Sequence, residues 1–213
     1  TPQMASEASK ITGNGPSDGF FSNLSGLEAR EHSYHLADTK EKRAEILQLF
    51  GSVESFAFDT ETDNVNAIDA HLVGMSFSKQ EDGAWYVPVP ADEAEARAIV
   101  EEFTPLLYDP RTLKIGQNIK YDYMVMQNYG VEIGGPLFDT MIAHYILQPE
   151  LRHNMDFLAE VYLNYRTIPI EELIGERGKG QKNMRDLSPA LICDYACEDA
   201  DVTLKLKHIL EKE

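Results

Sequence analysis

Ser55-Phe56-Ala57-Phe58-Asp59-Thr60-Glu61-Thr62-Asp63 is where the chain changes from apolar to acidic within a few residues. Phe56 and Phe58 alternate as the buried face of a strand over residues 55–60 does. The carboxylates come as that strand ends. Side chains at i and i+2 share a face, so Asp59 and Glu61 are expected side by side where the strand leaves the core. Hard oxygen donors grouped this way suit Mg²⁺ or Mn²⁺. A lone Asp-x-Glu equally fits a polar strand terminus facing water, so the pair carries chemistry only if other groups join it.

Working outward, His71-Leu-Val-Gly-Met-Ser-Phe-Ser78 and Ala84-Trp-Tyr-Val-Pro-Val89 read as two more strands, with Asp82-Gly83 as a turn between them. Short spacers predict an antiparallel meander. Before the first strand, Ala44, Ile46, Leu47, Leu49 and Phe50 give a helix an apolar face; Asp38 or Thr39 caps it and Gly51 ends it. After the meander a helical period runs over 92–107, a short fourth strand over 113–116, and helices over 121–129, within 138–147 and over 155–165. A loop over 175–185 precedes a long final helix, 188–210, with Ser188 as N-cap and Pro189 at its first position. Three antiparallel strands, a parallel one and helices around them make an α/β domain with a mixed central sheet. Residues 1–34, polar and broken by Asn14-Gly15-Pro16, are expected to be a linker or loosely ordered extension, and 35–213 the domain. A start at Thr1 rather than Met is what a fragment or processed product would show.

Two further acidic positions fall where ligand sites gather. Asp122 follows the fourth strand, in the first turn of the next helix. It also fits a carboxylate favoured by a helix N-terminus. Tyr195 and Asp199 are i and i+4 on the last helix and share a face among Ala196, Ala200 and Val202. A carboxylate in such surroundings needs a partner if buried, and a metal is one.

Taken in order, Asp-x-Glu on a strand, Asp after a strand and Tyr-x-x-x-Asp on a helix resemble the DEDD exonucleases with Tyr in the third motif. The segments Phe-Ala-Phe-Asp-Thr-Glu-Thr-Asp (56–63), Gly-Gln-Asn-Ile-Lys-Tyr-Asp (116–122), Phe-Asp-Thr-Met (138–141) and Glu-Asp-Ala-Asp-Val-Thr-Leu (198–204) are similar to the 3′→5′ proofreading domain of bacterial DNA polymerase I. The resemblance implies an RNase H-like exonuclease fold and two divalent metals, Mg²⁺ or Mn²⁺ with Zn²⁺ a further candidate. Asp59, Glu61 and Asp199 would hold one metal, and Asp59 with Asp122 the other. Tyr195 would orient the attacking water. The product would be nucleoside 5′-monophosphates from a single-stranded or frayed DNA 3′ end. The family also implies substrate contacts at Thr60, Val65, Gln117, Asn118 and Arg152. Ile170 stands where the family has an aromatic that stacks on the terminal base, a departure from the family pattern. It implies a monomer and a polymerase domain in the full-length chain, after the last helix. RNA exonucleases of the RNase D group share the carboxylates, and a silent strand-binding domain is a rival from another class; loss of a metal ligand would have marked the latter, and none is lost.

Composition bounds this reading. Of 213 residues, 43% are hydrophobic and 26% charged, ordinary for a globular domain. No apolar run spans a membrane and no secretory signal precedes the domain, so a cytoplasmic, nucleoid-associated protein is expected. A net charge of −17 is opposite to that of most nucleic-acid binders. A metal cage and a larger basic protein around the domain reconcile it. The 175–185 loop, with Arg177, Lys179, Lys182 and Arg185, is a candidate guide for the strand, or a solvated loop. Cys193 and Cys197, four apart, are expected as reduced helix-packing thiols. His144, on an apolar helix, is expected in the core. Asp122, as a ligand at a site mouth, is expected to contribute little to stability.

Overall fold

In the computed structural model, which describes residues 24–178 and 180–213, the apolar strands form the middle of a six-stranded sheet. The strands are β1 (Ser33–Leu36), β2 (Ser55–Thr62), β3 (Leu72–Gln80), β4 (Gly83–Pro88), β5 (Leu113–Gly116) and β6 (Leu137–Asp139). Their order across the sheet is β1-β4-β3-β2-β5-β6. The meander β2-β3-β4 is antiparallel. β5 joins β2 in parallel, β6 joins β5 and β1 joins β4, also in parallel. The mixed sheet is the one expected, with an added strand at each edge. The expected boundary at residue 35 falls inside β1. Ser33 and Tyr34 already pair with Gly83 and Ala84, and Ser25 bridges to Tyr165. Residues 24–34 therefore pack with the domain, while 1–23 lie outside the described residues.

The helices are α1 (Lys40–Phe50), α2 (Glu93–Tyr108), α3 (Ile119–Asn128), α4 (Thr140–Leu147), α5 (Met155–Leu158, continued by a π-helical turn, Ala159–Leu163), α6 (Ile170–Ile174) and α7 (Pro189–Leu210). Sheet alternation sorts them into two layers. Phe56, Phe58 and Phe77 pack with Phe50 of α1, Phe103 of α2 and Val125 and Met126 of α3. On the other face, Ala84 and Tyr86 meet Ile192, Cys193, Ala196 and Cys197 of α7, joined by Val73, which the register shift opposite Glu61 and Thr62 takes out of the alternation. Covered on both sides, β3 is buried from Leu72 through Ser78. Asp92 caps α2 by accepting from the amides of Ala94 and Glu95, at 3.0 and 2.9 Å. Thr39, rather than Asp38, caps α1. Both cysteines are buried free thiols. No helix among the described residues is long and apolar enough to cross a membrane.

Gly74, in the middle of β3, makes room for a neighbour. A Cβ there would lie 2.2 Å from Cε2 of Tyr86, whose ring is wholly buried and whose hydroxyl donates to the Val73 carbonyl at 3.2 Å. Overpacking of this kind costs about 1–3 kcal/mol. Gly74→Ala is therefore expected to lower the denaturation midpoint without changing its slope. An unchanged midpoint would mean that Tyr86 can step aside.

Candidate active site

The same alternation that sorts the core aims the acids. Ala57 packs toward α7, against Leu204, so Asp59 and Glu61 point to that side as well. There Asp199 meets them. Donor oxygens of Asp59, Glu61 and Asp199 lie within 4.8 Å of one another. Thr60 points the opposite way, toward α3, and meets Asp122. Oδ1 of Asp122 accepts from the Thr60 amide at 3.0 Å and from its hydroxyl at 2.6 Å. The four carboxylates thus reach the end of β2 from both faces of the sheet, three on one side and Asp122 on the other.

None of the ion pairs among the described residues involves any of the four. Their charges have no cationic side chain to offset them. Burial pushes the Asp59 carboxyl up to about 7. Burial, then the charge of Asp59, raises Glu61, Asp122 and Asp199 well above the usual carboxylate range, while Thr60's hydrogen bonds pull Asp122 back. Oε1 of Glu61 is buried without any hydrogen-bond partner. A buried acceptor left bare is costly. A divalent cation is the partner that hard, crowded oxygens fit.

Tyr195, one helical turn before Asp199, is half-buried. Burial, followed by Asp199, Glu61 and Asp59, pushes its phenol far above its ordinary range. It stays protonated at neutral pH and can donate but not act as a base. Beside it opens a cleft of about 290 Å³ whose walls include Asp156, Arg166, Thr167, Ile170 and Glu171.

The positions expected to contact substrate divide into free and engaged. Val65 is 93% exposed and Ile170 37%, so both present apolar surface to solvent. Arg152 is exposed, its guanidinium 5.1 Å from the Phe157 ring centroid. Asn118 sits in the left-handed region (φ 66°), and its Oδ1 is buried without a partner. Gln117, in contrast, donates to the His153 carbonyl at 2.7 Å and accepts from the Thr140 hydroxyl. Its amide ties the start of α4 to the chain at His153 instead of reaching sugar or phosphate. The Thr60 hydroxyl is likewise committed to Asp122.

Two expectations change more sharply. Asp122 is only 2% exposed and accepts two hydrogen bonds, so it belongs to the packed framework. Arg185 does not guide a strand from a loop. It lies in a short helical turn, Met184–Asp186, and donates to the carbonyls of Val89 (2.6 Å) and Leu72. Lys179 lies outside the described residues. His144 is a core residue as expected. Its Nδ1 is 2.7 Å from that of His153, and burial, then His153, pushes its pKa down to about 4.

Asp139, within the Phe138–Met141 motif, organises the region. Its carboxylate accepts from the amides of Asn118 and Ile119 at the start of α3 and of Met141 and Ile142 at the start of α4. Asn118 makes no side-chain cap for α3, so Asp139 satisfies those orphan amides across space. The Asp-Thr pair before an apolar helix was the available signal for a cap.

Residues 34–213 match the family model described as 3′-5′ exonuclease. The chain is 38% identical over 173 residues to DNA polymerase I of Pseudomonas aeruginosa, covering 77% of this chain and 19% of that protein. It is 29% identical over 201 residues to DNA polymerase I of Borreliella burgdorferi, covering 93% of this chain and 22% of that protein. It therefore spans about a fifth of the length of these curated relatives. Among solved structures, Brucella melitensis NrnC bound to pGG superposes with a TM-score of 0.62 at 21% identity, covering 89% of this chain and 81% of that one. Trypanosoma brucei RNase D superposes with 0.68 at 18% identity, covering 85% and 66%. At these identities the likeness is one of fold.

Proposed function

The chain belongs to the 3′-5′ exonuclease family, and from that premise we propose that it removes nucleoside 5′-monophosphates from a DNA 3′ end as the proofreading module of a DNA polymerase I. The observation that carries this reading is the meeting of Asp59, Glu61 and Asp199 within 4.8 Å, with no cation among their side-chain neighbours. Two divalent cations, Mg²⁺ or Mn²⁺, would complete the site, Asp59, Glu61 and Asp199 holding one and Asp59 with Asp122 the other. When bound they supply a water of lowered pKa and Lewis-acid stabilisation of the scissile phosphate.

The chain's own groups do the rest. Tyr195 holds its proton and orients the attacking water by donation. Oε1 of Glu61, unpartnered, accepts from the same water or binds a cation. Thr60 fixes the Asp122 carboxylate through two bonds, so that ligand costs little to reorganise on binding. Val65 and Ile170 offer apolar surface to the terminal bases; an aliphatic at 170 stacks less well than an aromatic. Arg152 and Asn118 are the free polar groups for the phosphate and sugar.

The experiment is release of label from 3′-labelled single-stranded DNA and from RNA of the same sequence, with Mg²⁺, Mn²⁺ or chelator. Metal-dependent release of 5′-monophosphates, faster from DNA, supports the reading. Preference for RNA would move the chain to the RNase D type, and strand binding without release would make it a silent domain. Tyr195→Phe is expected to slow turnover roughly 100- to 1000-fold, as loss of one well-placed donor does, with metal affinity unchanged. Equal loss of metal affinity would give Tyr195 a different role.

A further inference from the structure

Glu198 stands next to Asp199 in α7 but faces away from the carboxylate cluster. It is 0% exposed and takes no part in the proposed chemistry. Its two oxygens are both used. Oε1 accepts from the Tyr165 hydroxyl at 2.5 Å and Oε2 from the Ile168 amide at 2.6 Å. Between these donors, the Arg166 amide donates to the Ser25 carbonyl at 3.0 Å, and the Thr167 hydroxyl donates to Oδ1 of Asp156 at 2.9 Å. Four consecutive residues are each held, and Pro169 then leads into Ile170 at the start of α6. Residues 166–170 of this segment and Tyr195 line the 290 Å³ cleft together with Asp156, Glu160 and Glu171.

We infer that Glu198 is a positioning residue: it fixes the 165–170 segment as the wall that seats the 3′-terminal nucleotide against Tyr195. The inference rests on the exonuclease reading above. A carboxylate suits the task because it is acceptor-only at both oxygens and so can take two donors at once. An amide of the same shape offers one acceptor: it keeps the Ile168 amide only if its NH₂ donates to the Tyr165 hydroxyl, and both bonds then lose the charge that strengthens them. The consequence is specific. Weakening the clamp loosens the seat of the strand and leaves the chemistry on the acids alone.

The test compares wild type, Glu198→Gln and Tyr165→Phe on a single-stranded DNA oligonucleotide and on bis(p-nitrophenyl) phosphate, a diester with no base to seat. Hydrogen exchange at the Ile168 amide is followed in parallel. For Glu198→Gln, KM for the oligonucleotide is expected to rise roughly 10-fold, the mark of lost uniform binding worth about 1.4 kcal/mol. Turnover of the base-free diester and the Mg²⁺ midpoint should stay within about twofold of wild type, and protection of the Ile168 amide should fall. Tyr165→Phe removes one bond only. It should give a smaller rise in KM, and it serves as the test if Glu198→Gln does not fold. An unchanged KM in a folded variant overturns the inference, as does an equal loss on both substrates, which would place the effect on Asp199. Wild type that cleaves no DNA at all overturns the exonuclease reading instead, and this inference with it.

Discussion

Asp59→Ala is expected to reduce nucleotide release by at least about 10³-fold, because a metal acting as Lewis acid contributes several kcal/mol to the transition state and each 1.4 kcal/mol is tenfold in rate. Asp59 is the position where the loss should be greatest, since both proposed cations share it. The fold should not suffer. Asp59 accepts no hydrogen bond among the described residues that its removal would orphan, and its carboxyl is pushed up to about 7 because burial penalises its charge. At pH 8 the metal-free variant should therefore melt higher than the metal-free wild type. Asp122→Ala should lose activity comparably but behave differently in melting. Its removal strands the amide and hydroxyl of Thr60, a cost of about 1–3 kcal/mol that the relief of repulsion only partly offsets. The check is release from labelled DNA beside thermal melting in chelator for both variants. An active Asp59→Ala would show that the cluster is not where hydrolysis occurs.

That contrast between Asp59 and Asp122 marks how far the sequence could be read. Alternation at Phe56 and Phe58 was enough to place β2, and alternation again put Asp59 beside Glu61. The i, i+4 spacing of Tyr195 and Asp199 was enough to put both on one helical face, among small residues that let α7 approach the sheet. These are local signals. The face from which Asp122 arrives depends on the parallel pairing of β5 with β2, which no local period records. The same holds for partners. Gln117 and Arg185 have the chemistry of substrate contacts, yet both are used on backbone carbonyls far away in sequence, of His153 in one case and of Val89 and Leu72 in the other. β6 and α6 were missed because three and five residues are too few for a period to show, and β1, no shorter than β5, lies in a polar stretch where only Tyr34 and Leu36 are apolar.

Metal-free protein should lose stability as pH rises above 6.5, and excess Mg²⁺ or Mn²⁺ should reverse the loss. The sign follows from proton counts. Asp59 has a pKa of 3.8 unperturbed and about 7 when folded. Between those values the folded chain keeps a proton that the unfolded chain has released. Stability is then fully present below the lower value and declines as pH climbs to the upper one. Glu61, Asp122 and Asp199 are raised in the same direction and add to the decline. His144 works oppositely: pushed down from 6.5 to about 4, it makes stability rise with pH inside that window and is silent above it. Above pH 6.5 only the acids remain, each retained proton costing about 1.4 kcal/mol per pH unit, or roughly 3–6 °C in melting temperature for a domain of this size. A cation bound only by the folded state adds about 4 kcal/mol at a thousandfold excess over its Kd, enough to raise melting by roughly 10 °C. It also favours the ionised acids, so the pH slope should flatten with it. Melting in chelator and in metal, from pH 6.5 to 8.5, reads both effects. Asp59→Ala should weaken both at once, since the group that repels its neighbours without metal is the one that binds it. A steep metal-free slope that metal leaves untouched would mean that the acids crowd one another but are not the ligands.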